Sequence, residues 1–242
     1  MMEFDPSYTY LALNIGTLLG PFVLSFDKKV AFWKEWGAIL PGLLFTAFVF
    51  IVWDVWFTDM GVWSFNPDYL VGIYFLGLPL EEWLFFFTVP YACVFIYACW
   101  RAYVPRDYWK SVSRQIAWGV VAFSLVLGLI MWDHWYTAVT CLLLALWMTL
   151  SLTVLRFSHF GHFFQAYLIS IVPFFMVNGV LTALPVVAYN DLENLGFRFG
   201  TIPADDTLYC MLLLLMNITI YEAVKERRSR VILSTNQHYV QP

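Results

Sequence analysis

Seven mostly apolar stretches of about 20 residues follow one another along this chain, each long enough as a helix to cross the ~30 Å hydrocarbon core of a bilayer. They fall at about 8–25, 38–57, 78–100, 115–132, 135–155, 165–187 and 204–222. Backbone groups inside a bilayer must be satisfied internally, so such a chain is expected to fold as a helix bundle. Composition agrees. Of 242 residues, 61% are hydrophobic, 20% aromatic and 12% charged, against about 25% charged in a soluble domain. The start, MMEFDPSYTY, has no basic region and no small-residue cleavage site after it. The first span is therefore expected to be a retained helix and not a signal peptide. Gly16 and Gly20 within it form a small-x-x-x-small pair, which predicts close helix packing. Residues 69–77 are also apolar and are candidates to dip into the membrane. The four cysteines, Cys93, Cys99, Cys141 and Cys210, lie in apolar segments with no C-x-x-C, and read as isolated thiols.

Charge sets the expected orientation. Lys28, Lys29 and Lys34 lie between spans one and two, and Arg101, Arg106, Lys110 and Arg114 between three and four. Arg156 follows span five, and Lys225, Arg227, Arg228 and Arg230 follow span seven. That places 12 of the 13 basic residues on one side, with Arg198 alone on the other. The positive-inside rule then predicts a multi-pass protein of the cell (inner) membrane, N-terminus out and C-terminus cytoplasmic. Arg198 is expected to pair with a loop acid such as Glu193. Nothing in the pattern calls for nucleic acid, and oligomeric state is left open.

In GLPLEEWLFFF, residues 77–87, Glu81 and Glu82 sit side by side among Leu, Trp and Phe, where a carboxylate is costly. A shift of 124 residues, the distance from Asn66 to Asn190, aligns the chain with itself. Gly72, Phe75, Pro79, Leu84, Ile96 and Tyr97 fall on Gly196, Phe199, Pro203, Leu208, Ile220 and Tyr221, and Phe50 and Thr58 fall on Phe174 and Thr182. Glu81–Glu82 falls on Asp205–Asp206, and Asp54 on Asn178. The predicted fold is all-α and integral to the membrane, with seven transmembrane helices. Two parallel three-helix repeats (1–104 and 134–225) are joined by a connector helix (105–133) and followed by a cytoplasmic tail (226–242), expected to be disordered. Both acidic pairs then lie at one depth and can meet across a pseudo-twofold axis. One acidic pair at a helix start is explained by the helix dipole alone. Two equivalent pairs, each just inside an apolar span, point to function.

These residues carry a family resemblance. FNPDYLVGIYFLGLPLEEWLFFFTVPYA, with SFDKKVAFWKEW and IVWDVWFT before it, resembles the membrane lycopene cyclases of the small-subunit type. Bacteria often hold these as two polypeptides, and fungi fuse them to a phytoene synthase. NDLENLGFRFGTIPADDTLYCMLLLLMNITIYE resembles the other subunit, so the chain is similar to a single-chain form with both halves fused and no synthase domain. The resemblance rests on the P-x-E-E motif and the N-x5-G-x6-P spacing and reaches about residue 225. It implies a lycopene β-cyclase, an isomerase (intramolecular lyase) working without cofactor or metal on a carotenoid from the lipid phase. The reaction involves no net redox change. With both acid pairs expected on one face and lycopene about as long as the hydrocarbon core is thick, roughly 30 Å, one end would be cyclised at a time, through γ-carotene to β-carotene. A proton adds to the terminal double bond, the neighbouring double bond attacks the tertiary cation, and the ring then loses a proton.

The residues fit that chemistry. Closely spaced carboxyls in a dry site can hold one proton and one charge, supplying acid and base together. Glu81, Glu82, Asp205 and Asp206 are therefore the candidate catalytic residues, with donor and acceptor unassigned. Aromatic faces would steady the cation by roughly 0.5–2 kcal/mol each. Trp53, Trp56, Trp63, Phe75, Trp83, Phe85 and Tyr209 lie near the motifs, with Phe75 and Trp83 the better candidates. Asp54 reads equally as a proton carrier or as a polar contact between helices. Asn66, Asn178, Asn190 and Asn194 are candidates to orient the acids, and Pro79 and Pro203 to start their helices. His159 and His162 read as residues of an interfacial loop. Among rivals, a retinal protein needs a lysine in the last span, a di-iron enzyme needs more than four histidines, and a prenyltransferase needs D-D-x-x-D where this chain has Asp205-Asp206-Thr-Leu-Tyr. No G-x-G-x-x-G supports a nucleotide cofactor. A proton-coupled transporter is the alternative from another class, but spans one, four and five carry almost no polar residues to line a wet path. A cyclase of another carotenoid is the alternative within the class, and a carotenoid-binding structural protein has no use for four carboxyls.

Overall fold

A computed structural model of the chain describes residues 5–239, with side chains described through Val231. Seven helices make up the bundle: α1 (Thr9–Leu24), α2 (Trp36–Asp59), α3 (Leu80–Tyr103), α4 (Ser113–Ile130), α5 (Trp135–Thr153), α6 (Phe160–Ala183) and α7 (Asp205–Tyr239). All seven include a segment long and apolar enough to cross a membrane. The protein is thus a multi-pass membrane protein of two three-helix repeats, α1–α3 and α5–α7, with α4 between them. α1 packs on α3 and α5 on α7 within the repeats, while α2 packs on α7 and α6 on α3 across them. The connector α4 lies chiefly against α5.

Six short strands sit at the end of the bundle where α3 and α7 begin: β1 (Trp63–Phe65), β2 (Tyr74–Phe75), β3 (Leu78–Pro79), β4 (Val187–Tyr189), β5 (Arg198–Phe199) and β6 (Ile202–Pro203). β1 pairs antiparallel with β4, matching Trp63 with Tyr189, Ser64 with Ala188 and Phe65 with Val187. Ser64 and Ala188 are 124 residues apart, so the ladder maps onto itself under the repeat. The flanking bonds, Asn66 N to Val186 O and Asn190 N to Val62 O, are both 2.9 Å and exchange in the same way. A pseudo-twofold axis therefore runs through the Ser64–Ala188 pair. Each repeat also has a hairpin, β2–β3 or β5–β6, leading directly into the helix that starts with the acidic pair. Matching bonds close them, from Leu80 N to Ile73 O at 2.8 Å and from Ala204 N to Phe197 O at 2.9 Å.

Polar residues stitch the helices together where the apolar surface alone gives lipid and protein little to distinguish them. Asn14 of α1 donates to the Glu81 carbonyl of α3 at 3.0 Å and accepts from Thr88 at 2.7 Å. Ser25 and Tyr91 share a bond of 2.6 Å, and Trp36 Nε1 donates to the same phenol at 3.0 Å. Such bonds are worth on the order of 0.6 kcal/mol each in membrane bundles.

Several expectations need correcting. The sixth span starts at Phe160, not 165, so His162 lies in a helix and not in an interfacial loop. Its Nε2 lies 3.1 Å from the Val104 carbonyl, and the neighbouring Gln165 accepts from Trp100 Nε1 at 2.8 Å. These partners allow polar side chains to be buried where composition alone placed a loop. His159 stands just before the helix, 3.7 Å from the buried Glu222, which also pairs with Arg101. Part of the stretch expected as a disordered tail is helical, because α7 runs on to Tyr239; residues 240–242 lie outside the described residues, as do residues 1–4 of the N-terminal stretch. Gly16 and Gly20 do not mark close packing: a methyl group added at either would meet nothing within 4 Å. Residues 69–77 need no such correction: they form a turn and the first strand of the β2–β3 hairpin, with apolar Ile73 to Leu76 exposed along it.

Candidate active site

The two members of each acidic pair face different ways, as neighbours on a helix must at 3.6 residues per turn. Glu81 and Asp205 turn toward the loops. Glu81 Oε1 accepts from the Val71 amide at 2.7 Å, and Asp205 Oδ2 from the Leu195 amide at 3.1 Å. Val71 and Leu195 are themselves repeat mates. Asp205 Oδ1 also takes the Thr137 hydroxyl at 2.5 Å. These two carboxyls hold the loop before each hairpin to the helix after it.

Glu82 and Asp206 turn inward, toward the pseudo-axis. Tyr10 of α1 donates its hydroxyl to Glu82, and Tyr136 of α5 donates to Asp206 at 2.5 Å. Asp206 also accepts from Asn178 Nδ2 at 2.8 Å and from the Tyr189 hydroxyl at 3.3 Å. Asp54 of α2 joins them: its Oδ1 accepts from Trp63 Nε1 at 2.5 Å and from Thr58 at 3.4 Å, while its Oδ2 is buried without a partner. Asp54 and Asn178 are repeat mates, so the axis carries a third carboxyl on one side and an amide on the other.

These groups line one cavity of about 40 Å³. Its remaining walls are the rings of Trp63, Phe65, Phe85, Phe174, Tyr189 and Tyr209, with Leu181 and Val187. Phe50 and Phe86, both fully buried, pack nearby with ring centres 5.9 Å apart, and Phe50 meets Tyr209 edge-on at 5.0 Å. Glu82, Asp206 and Asp54 are all buried, and no Lys, Arg or His is among the lining residues. Isolated ionised carboxylates in such a setting carry a penalty of several kcal/mol each. Without a cation nearby, shared protons and phenol hydrogen bonds are what remain to offset it. Tyr189, on its strand, reports the same environment. Burial pushes its phenol well above the ordinary value, and the carboxyls of Asp206, Glu82 and Asp54 add to the push.

Of the candidates from sequence, Glu82, Asp206, Asp54, Asn178, Trp63, Phe85 and Tyr209 come together here. Glu81 and Asp205 are not among the lining residues; each accepts from a loop amide, and Glu81 Oε2 is buried without a partner. Asn66 and Asn190 accept from Asp68 N and Leu192 N at 3.0 and 3.1 Å, and Asn194 from Gly196 N at 2.7 Å. Three of the four asparagines thus bond within their loops and not to the paired acids; Asn194 Nδ2 donates instead to Asp191 Oδ1 at 3.1 Å. Pro79 and Pro203 sit at the ends of their hairpins, just before the acidic helices. Phe75 and Trp83 pack on each other outside the cavity, with Phe75 half exposed and bonded through its carbonyl to Trp83 Nε1 at 3.3 Å. Trp53 packs behind Tyr209 at 5.2 Å, and Trp56 lies outward against Trp135 at 5.6 Å. Arg198 pairs with Asp191, not Glu193; the Glu193 carboxylate instead accepts from the Trp135 amide at 3.1 Å, at the start of α5.

Tyr10, Tyr136, Tyr189 and Phe174 were not foreseen. A signal for the first two was present. Tyr10-Leu-Ala-Leu-Asn14 and Tyr136-Thr-Ala-Val-Thr140 match at a shift of 126, so a comparison at 124 without gaps passes over them. Tyr189 is the repeat mate of Phe65, and the residue types differ.

Fold and site together define a multi-pass membrane protein with a small, acid-lined aromatic cavity on the axis between two repeats. The family model described as lycopene cyclase matches residues 7–100 and 133–224, one match to each repeat, and the chain belongs to that family. Membership carries carotenoid cyclase activity in general, with a carotenoid as substrate and a membrane as setting. No curated protein and no solved structure matches the chain.

Proposed function

We propose that this protein is a lycopene β-cyclase, an isomerase that closes the linear ends of lycopene by acid catalysis with no net redox change. The observation that supports it most is the gathering of Glu82, Asp206 and Asp54 around one small aromatic cavity with no basic residue in its lining. The terminal double bond takes a proton from a carboxylic acid and becomes a tertiary cation. The neighbouring double bond attacks it, forming the ring and moving the cation to a ring carbon. A carboxylate removes a proton from the carbon just bonded, which gives the β ring. Three donors converge on Asp206, so we assign it as the anionic acceptor; the unpartnered Asp54 Oδ2 and the singly bonded Glu82 make up the donor side. Rings of Trp63, Phe85 and Tyr209 would lie against the cation, each contributing roughly 0.5–2 kcal/mol.

In the same reading, residues 1–104 and 134–225 are the two repeat units, 105–133 the connector and 226–242 the tail. Twelve basic residues at the far end from the cavity argue for a cytoplasmic C-terminus and an outer N-terminus in the cell membrane. The cavity then opens near the outer surface.

The test is carotenoid chromatography of lycopene-accumulating bacteria expressing the chain. β-Carotene is expected with the parent, and unchanged lycopene with Glu82→Gln or Asp206→Asn at equal expression. Untouched lycopene with the parent would reject the substrate. ε-Ring products would reject only the ring type and the site of proton loss.

A further inference from the structure

A cavity of about 40 Å³ cannot hold a closing six-membered ring. An apolar cavity that takes a benzene is on the order of 150 Å³. A reacting end must therefore reach the acids through a wall that moves, and the rest of the polyene must lie somewhere outside it.

Beside the acid cavity, between α1, α3 and α6, runs an open apolar groove of about 440 Å³. Phe174 lines both spaces and is the one side chain common to them. The groove follows α3 from Val89 to Ile96, and Ile96 lies 14 residues beyond Glu82, about 21 Å along the helix. It holds no charged residue, and the hydroxyl of its one threonine, Thr17, is bonded within α1 to the Leu13 carbonyl at 2.8 Å.

Pseudo-symmetry makes this groove more than a gap between helices. With α1 and α5 aligned on Tyr10 and Tyr136, Gly16, Thr17 and Pro21 correspond to Leu142, Leu143 and Trp147. Trp147 fills the second copy, packing on Phe45 at 5.8 Å and donating to Thr219 at 3.1 Å. Larger side chains thus stand in the second copy where the groove has Gly16, Thr17 and Pro21.

Building on the cyclase reading, we infer that this groove seats the linear polyene arm of the carotenoid, and that Phe174 is the movable wall through which one end passes to the acids. Continuity with the cavity, an apolar lining and a run down the bilayer match a long hydrocarbon with one reacting tip. Gly16 keeps the groove clear and Phe174 positions the tip.

The experiment uses the full chain in lipid nanodiscs, with Glu82→Gln as a non-turning background. Lycopene bound per protein is read from visible absorbance, with and without Gly16→Phe. The expected result is a loss of bound lycopene of tenfold or more, with thermal stability and size-exclusion profile unchanged. Leu142→Phe at the symmetric position should leave binding unaltered. If Gly16→Phe does not fold, Gly16→Leu, which copies the second repeat, serves in its place with a smaller loss. Bound lycopene unaffected by the filled groove overturns the inference and leaves the groove to lipid acyl chains. A parent that turns nothing over but binds lycopene through Gly16 keeps the groove and rejects the cyclase reading. A parent that converts lycopene at full rate with Gly16→Phe keeps the cyclase and rejects the groove.

Discussion

At the scale of single residues, the acidic pairs show how one helical step separates two roles. Glu82 faces the cavity and Glu81 the loop, though they are chemically alike and adjacent. Glu82→Gln keeps the size and loses the acid, so turnover should fall by roughly 10²–10⁴ with little change in thermal stability. Glu81→Ala should do the reverse. It strips the Val71 amide of its acceptor and should cost about 1–3 kcal/mol, read as a lower unfolding temperature in detergent, while the protein that remains folded still turns over. Equal loss of turnover in both variants would undo this division. The phenols make a second contrast. Tyr136→Phe removes one of three donors to Asp206, whereas Tyr10→Phe removes the donor to Glu82. The Tyr10 change is therefore expected to lower turnover more, as compared side by side in the lycopene assay.

At the scale of elements, the two hairpins place the acids. β2 and β3 are joined through Leu76 and Gly77, both with positive φ, +52° and +83°. Two such residues in a row make a hairpin turn whose twist suits the strands, and an L side chain there is strained by about 1–2 kcal/mol. The hairpin feeds straight into α3, so its geometry sets where Glu82 points. Gly77→Val is expected to destabilise the fold by about 1–2 kcal/mol and to lower turnover as well, measured as thermal stability and β-carotene formation in one preparation. An unchanged unfolding temperature would show that the turn does not anchor α3. The second hairpin uses Gly200, at φ +64°, for the corresponding turn. These strands were not legible from the sequence. Each is two or three residues long, too short for an alternating pattern, and β1 and β4 find their partners across the whole bundle.

At the scale of the molecule, two repeats share one cavity. Each contributes an acid and its tyrosine, and an open groove runs beside the axis between α1, α3 and α6. A carotenoid about as long as the hydrocarbon core is thick, roughly 30 Å, has its second end far from the acids while the first is closing. One end should be cyclised per visit. A time course from lycopene is expected to show monocyclic γ-carotene rising before β-carotene and then falling. β-Carotene formed from the first time points without γ-carotene would require both ends to be reached in one visit.

Length and composition of the apolar stretches settled the membrane class and the seven helices, because a bilayer tolerates few alternatives. The 124-residue repeat was equally legible, since duplicated Asn, Gly, Pro and acidic residues keep their spacing wherever the same loop and helix start must form. Tertiary structure decided which carboxyl of each pair faces the axis, that Asp54 joins them, and that phenols from α1 and α5 meet the acids. Side-chain direction depends on helix rotation, and rotation is set by packing against helices distant in sequence. For the same reason Phe75 and Trp83, adjacent to the motif along the chain, lie outside the cavity, while Phe174 forms its wall.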